Sequence, residues 1–190
     1  FNLYLDVKRC YISHQGDLTK PFETWLEFLN NDVFNMLFQP IEINQKDNFI
    51  LLRYGQEAMR PGFWDNPDSI YRDCRSIVID IERDELVLAP FKKFFNINEL
   101  PETRTEEIIK RINQAKIVEF MNKLDGSAQA YRYYYGEVVG AGSRALDIQQ
   151  SFRLDKCFKY LTENHIQMFK DFHNYTFMFE FIDPSDVHVV

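Results

Sequence analysis

The sequence is poor in the residues that cross-link a chain, span a bilayer or bind polyanions by bulk charge. Its three cysteines, Cys10, Cys74 and Cys157, stand far apart. That excludes a disulfide framework and the paired spacing of a zinc site, so a reducing, cytoplasmic setting is expected. The apolar runs are too short to cross a membrane. The first thirty residues carry Asp6, Lys8, Arg9 and Asp17 with no uninterrupted apolar stretch, so no signal peptide is read. Excess positive charge is missing too: the formal net charge is −7. This argues against a broad basic face but not against a local basic groove, because a phosphate responds to the field at its own site. Repeats and low-complexity segments are absent. The four histidines, His14, His165, His173 and His188, form no ligand pattern and are read as structural. The chain opens on Phe1 instead of Met and closes on the apolar run Val187 to Val190, so it is read as a segment truncated at both ends.

What is present is apolar and aromatic. Hydrophobic residues make up 45% and aromatics 16%, including 18 Phe and 10 Tyr, enough for a sizeable core rich in strands. Pro21 to Gln39 is predicted as one helix, with Thr19 as its cap and Trp25, Leu26, Leu29, Val33, Met36 and Leu37 at helical spacing. A strand is predicted over Phe49 to Tyr54 and a loop over Arg60 to Asp68. Ser76 to Ile81 and Leu86 to Phe91 read as a hairpin about the polar turn at residues 82–85. Thr103 to Gln114 reads as a helix with capping-box spacing between Thr103 and Glu106. Strands follow at Ile117 to Met121, Ala128 to Tyr134 and Glu137 to Gly140. A helical stretch, Ser151 to Phe172, interrupted near Asn164, then leads into a strand at Tyr175 to Ile182. The expected class is α+β, with antiparallel sheets and flanking helices. Residues 1–70 form an N-terminal helix–strand portion, and residues 71–190 a core continuous with it in one domain.

One segment suggests chemistry: Lys123-Leu124-Asp125-Gly126-Ser127, between two predicted strands. Lysine becomes a nucleophile when desolvation or a nearby cation favours its neutral form. Gly126 permits close backbone approach, and Ser127 with the turn amides can donate to phosphate oxygens. Taken alone, a lysine beside an Asp-Gly turn is more often a solvated hairpin. Other charged residues bear on the choice. Glu180 sits in the apolar run Phe177 to Ile182, where a carboxylate requires a partner or an open cleft. Arg75 at a strand start, and Lys92 and Lys93 on an edge, have ordinary solvated alternatives.

The order of the segments decides in favour of chemistry. Lys-x-Asp-Gly-Ser resembles the signature of covalent nucleotidyltransferases: ATP-dependent DNA ligases, RNA ligases and mRNA capping enzymes. The chain is most similar to the tRNA-repair RNA ligases of bacteriophages. Asp73-Cys74-Arg75-Ser76 resembles their Cys-Arg-Gly segment, and Lys92-Lys93-Phe94-Phe95-Asn96-Ile97-Asn98-Glu99 their Lys-Phe-Phe-Asn-x-Asn-Glu segment. Gly140-Ala141-Gly142-Ser143 resembles their Gly-Ser strand end, and Phe179-Glu180-Phe181-Ile182-x-Pro184 their Phe-Glu-Phe-x-x-Pro strand. The resemblance runs from about Tyr71 to the end.

The resemblance implies an ATP-grasp-like ligase adenylyltransferase domain. It also implies an RNA ligase that forms a lysyl–AMP intermediate from ATP with Mg²⁺ and seals RNA 5′-phosphate and 3′-hydroxyl ends in RNA repair, with no membrane role. Lys123 is then the nucleophile and Arg75 and Lys93 the phosphate-facing cations. Phe95, Asp125, Gly126, Ser143, Arg144 and Glu180 complete the nucleotide site. Asp125 or Glu180 is the candidate to reach a metal through water, and no direct ligand set is assigned. Two departures stand out. The phage enzymes carry phosphate-serving lysines where this chain has Val139 and Ala141, and Arg144 is the expected substitute. The acidic and Lys-x-Lys motifs that the family carries further on are expected beyond Val190. The alternatives are an mRNA guanylyltransferase or DNA ligase, and a nucleotide- or RNA-binding module without catalysis.

Overall fold

A computed structural model describes residues 1–184. Among these are six α-helices and seven strands, in the order α1 (Asn2–Ser13), α2 (Phe22–Leu29), α3 (Asp32–Phe38), β1 (Ile41–Lys46), β2 (Phe49–Tyr54), β3 (Arg75–Asp80), β4 (Glu85–Leu88), α4 (Thr105–Gln114), β5 (Ser127–Tyr134), β6 (Glu137–Ala141), α5 (Phe152–Tyr160), α6 (Glu163–Asp171) and β7 (Phe177–Phe181). The strands form two antiparallel sheets, β1-β2-β3-β4 and β6-β5-β7. The expected α+β class with antiparallel sheets is therefore what the chain adopts.

Strand alternation sorts the core into three layers. Ile50, Leu52, Ile77 and Ile79 point from the first sheet onto α1, α2 and α3, meeting Tyr4, Val7, Tyr11, Phe22 and Trp25. Leu51, Val78, Val87 and Leu88 point the other way and pack against Ala130, Tyr134, Val139 and Ala141 of the second sheet. The far face of that sheet presents Tyr131 and Phe181 to Leu154, Cys157 and Phe169 of α5 and α6. Runs such as Ile77-Val78-Ile79 are continuous because both faces are covered.

Several local expectations change. The predicted helix over residues 21–39 is two helices: Asn30 takes left-handed backbone (φ 41°), and the Asn31 side chain accepts from the Val33 and Phe34 amides to cap the second. Thr19 caps neither helix; its hydroxyl and amide bond to Asp17. The stretch over residues 151–172 also divides, and Thr162 caps α6 with His165 returning the bond. Thr103 does not box with Glu106, because its hydroxyl closes a turn on Leu100. Residues 117–121 form no strand: they pair with neither sheet among the described residues, and a strand needs a ladder partner. Ile117, Phe120 and Met121 are exposed there. Helix α1 and strand β1 were not anticipated. All three cysteines are free.

One buried carboxylate clamps the two sheets at the β3–β4 turn. Asp80 is fully buried and accepts from the Glu82 amide (2.9 Å), the Arg83 amide (3.0 Å), the Arg83 guanidinium (2.9 Å) and, across the layer, the Tyr134 hydroxyl (3.0 Å). Burial pushes its pKa up, but hydrogen bonds from Asn48, Arg83 and Tyr134 outweigh that and hold it below the ordinary value. A depressed native pKa stabilises above the unfolded value, about 3.9 for Asp, and that contribution is lost as pH falls through the native pKa. Asp80→Asn is expected to cost about 2 kcal/mol at pH 7. The gap to wild type should narrow in urea melts at pH 3. An equal gap at both pH values would show that the charge contributes nothing.

Candidate active site

The inner faces of the two sheets meet tightly at one end and part at the other. The residues at the parting end are small: Ala128 and Ala130 on β5, Ala141 on β6, then Gly142 and Ser143. The space between the sheets there is a cavity of about 730 Å³. Sheet one contributes Arg53, Tyr54, Arg75 and Ser76 to its wall, and sheet two contributes Met178 and Glu180. Phe91 and Phe94 reach in from the loop after β4, and residues 121–124 cross its mouth.

Lys123 lies in that crossing segment, in an irregular stretch that becomes β5 at Ser127. It is exposed and makes no hydrogen bond or ion pair among the described residues. Its loop is fixed by Gly126. A Cβ on Gly126 would lie 2.3 Å from the Phe181 carbonyl oxygen and 3.1 Å from Glu180 Cγ. The glycine therefore serves close passage of the loop over β7, with no special backbone angle involved. Glu180 pairs with Ala128 across β5 and β7, so its side chain shares the cavity face with Ala128. It is half-buried and makes no hydrogen bond or ion pair among the described residues. The open cleft demanded of a carboxylate in so apolar a run is this cavity.

Arg75 lines the opposite wall, its guanidinium 4.2 Å over the Phe94 ring, a cation–π contact. Ser76 follows with φ 67°, left-handed backbone that a residue with a Cβ takes up at a cost of roughly 1–2 kcal/mol. The resembling family carries glycine at this position. Here the serine hydroxyl donates to the Ser143 carbonyl at 2.8 Å and ties the sheets together at the cavity rim.

Other predicted residues stand elsewhere. Lys93 folds back, its ammonium donating to the Phe94 carbonyl at 2.9 Å and sitting 4.4 Å over the Phe95 ring. Burial lowers its pKa, with Arg75 adding to the effect and Glu99 opposing it. Phe95 packs edge-on against Trp64 at 5.7 Å and beneath Arg72 at 4.9 Å, so of the Phe94–Phe95 pair it is Phe94 that faces the cavity. Asp125 is exposed and outside the lining. Arg144 lies beside a separate hollow of about 240 Å³, its Nε 3.8 Å from Glu42. Sequence reasoning missed Arg53, Ser76 and Phe94. A hint for Arg53 was present, since a charge interrupts the apolar strand FILLRY on the same face as Leu51.

A family model described as RNA ligase matches residues 73–190, more than half of the chain. The chain belongs to this phage-type RNA ligase family. No curated protein matches it. The matched span of the RNA ligase family includes β3 with Arg75, the Lys123 loop, β5, β6 and Glu180 on β7. Arg53 and Tyr54 lie before it, yet β2 pairs with β3 and its residues share the cavity. Among the described residues no group of three or more His, Cys, Asp or Glu side chains could hold a metal ion, and no helix is long and apolar enough to cross a membrane.

Gly126→Ala tests the loop's anchorage. The added methyl forces β7 or the loop to move, at an expected cost of about 1–3 kcal/mol. A lowered melting temperature in thermal denaturation is the expected result, and an unchanged one would mean that the loop does not press on Phe181.

Proposed function

We propose that the protein seals RNA strands through a lysyl–AMP intermediate formed from ATP, with Lys123 as the nucleophile, in RNA repair. The observation that carries this reading is the placement of Lys123. In an RNA ligase family member, a lysine with no partner among the described residues crosses the mouth of a cavity whose walls bear Arg53, Arg75 and Glu180. Phosphoryl transfer requires alignment and charge neutralisation more than covalent machinery from the protein, and this wall offers both.

The neutral Lys123 amine attacks the α-phosphorus of ATP. An N–P bond forms, the P–O bond to pyrophosphate breaks, and the amine releases its proton. The RNA 5′-phosphate oxygen then attacks the same phosphorus and frees the lysine. Finally the RNA 3′-hydroxyl attacks the 5′-phosphate, a phosphodiester forms, and AMP leaves. Arg75 neutralises phosphate charge, while Ser143 at the rim and the backbone about Gly126 supply hydrogen-bond donors. Lys93 and Arg144 bring further positive charge to the neighbourhood, and Phe95 supports the Phe94 loop. Glu180 accepts from the ribose hydroxyls. The donor set suits Mg²⁺, which commonly takes one or two carboxylates and completes its shell with phosphate oxygens and water. Glu180, or Asp125 from the loop, would hold it through water, and it would supply charge neutralisation on the phosphates. The domain itself is then a ligase-type adenylyltransferase fold. The open ends of RNA are the partner.

Two measurements test this. Incubation of the full-length protein with Mg²⁺ and α-labelled ATP, followed by denaturation, should leave label on the wild-type protein and none on Lys123→Arg. Arginine keeps the charge but has no neutral form with which to attack. Label on the arginine variant would remove Lys123 from its role. Unlabelled GTP in excess should fail to displace the labelled ATP, and efficient displacement would point to guanylyl transfer.

A further inference from the structure

Beside Arg75 the cavity wall carries a second guanidinium, that of Arg53. Arg53 lies on the inner face of β2, two residues beyond Leu51, and stands opposite Arg75 in the β2–β3 ladder just after the bulge at Leu52/Arg53. Its side chain is 20% exposed, so it lies mostly within the protein and borders both the Lys123 cavity and the smaller hollow beside it. Among the described residues its Nε alone is engaged, with the Tyr54 carbonyl at 3.3 Å and Glu42 at 3.4 Å. The two terminal nitrogens carry no partner among the described residues. Glu42 does not neutralise it alone, because the same carboxylate oxygen also faces Arg144 at 3.8 Å. Two guanidiniums therefore share one carboxylate. Burial lowers the Arg53 pKa, and repulsion from Arg144 adds to this, while Glu42 opposes it. The group stays charged, since arginine does not lose its proton in proteins. A mostly buried cation with its fork unfilled and its one counter-ion shared favours an anion beside it. The shape of the fork suits phosphate oxygens.

The opposite wall strengthens the case. β6 and the two residues after it offer Ala141, Gly142 and Ser143 to the cavity and no charge. Positive charge for a phosphate held between the sheets must therefore come from sheet one and from the Lys123 loop.

We propose that Arg53 is a phosphate-binding residue of this site, and that its terminal nitrogens grip oxygens of the bound nucleotide's phosphates or of the RNA 5′-phosphate from the β2 side of the cavity. The proposal deepens the ligase reading and rests on it for the identity of the substrates, but it can be measured without turnover. Calorimetric titration of the full-length protein with inorganic tripolyphosphate, and separately with a 5′-phosphorylated oligoribonucleotide, compares wild type with Arg53→Gln and Arg53→Lys. Loss of a charge-assisted contact corresponds to a weakening of roughly tenfold to a hundredfold. Such a loss toward tripolyphosphate assigns Arg53 to the nucleotide phosphates, and a loss toward the oligoribonucleotide alone assigns it to the RNA end. Partial recovery in Arg53→Lys marks a charge contact, because lysine restores the charge without the fork. Matching thermal melts of the variants exclude unfolding as the cause, and if Arg53→Gln melts early, the comparison is made on Arg53→Lys. Affinities within twofold of wild type for both probes in every folded variant overturn the proposal. The two readings fail separately. Wild-type protein that takes no label from ATP yet binds tripolyphosphate through Arg53 retains this inference without lysyl–AMP chemistry. Labelling that persists alongside unchanged phosphate affinity in Arg53→Gln retains the chemistry without Arg53.

Discussion

The inner-face packing between the two sheets is large at one end and small at the other, and the rest of the site follows from that gradient. Along β5 the inward residues run Tyr134, Arg132, Ala130, Ala128. Along β2 they run Phe49, Leu51, Arg53, and along β3 Asp80, Val78, Ser76. At the large end the sheets are locked. Tyr134 reaches Asp80, its ring meets Phe49 at 6.1 Å, and Arg132 donates to the Leu86 and Val87 carbonyls. At the small end alanine and glycine cannot fill the interval between two strand layers, and a cavity is left. Ser76 and Ser143 join the two sheets across its rim, and the Gly126 loop passes close over β7 within the second sheet.

That same end is where strands start and stop, so charged side chains can be placed there without being entombed. Arg53 and Arg75 come from neighbouring positions of one ladder, Glu180 from the far sheet, and Lys123 from the segment that feeds β5. The cavity thus gathers three cations and one carboxylate in a chain whose net charge is −7. Field at a phosphate depends on these near groups and on the low-dielectric walls between the sheets, and the distant acidic surface is largely screened.

The sequence made the second half of the fold readable and the first half less so. β3 with β4, and β5 with β6, are bounded by polar turns and are rich in β-branched or aromatic residues, so pattern alone finds them. β1 is Ile-Glu-Ile-Asn-Gln-Lys, whose inward Glu42 and Asn44 resemble loop composition; the strand is visible only once Arg53, Arg144 and Gln150 are known to lie beside it. Helix α1 hides its apolar face, Tyr4, Val7 and Tyr11, among polar neighbours, and its Lys8 ends in an ion pair with Asp84 that no local pattern announces. The predicted strand at residues 117–121 erred in the opposite direction. Its residues have strand character, but pairing is a property of two segments and cannot be read from one. At the site, Lys123 and Glu180 were legible from motif order and from the burial cost of a lone carboxylate. Arg53 was not, because which face of β2 looks into the cavity depends on the sheet packing.

The departure at Val139 and Ala141 has a structural side as well. β6 is an edge of its sheet, and Ala141 sits against Ala130, its ladder partner, within the inner core. A long cation there would have to extend across the cavity from its narrow wall. An arginine on β2 approaches the same space from the other sheet, with its side chain already mostly buried. The two designs need different neighbours: the first needs room on β6, and the second needs the adjacent carboxylate, Glu42, to hold the arginine's Nε without consuming its fork. Alanine on β6 and Glu42 on β1 are both here, so a phosphate entering this cavity would meet positive charge from sheet one and from the Lys123 loop.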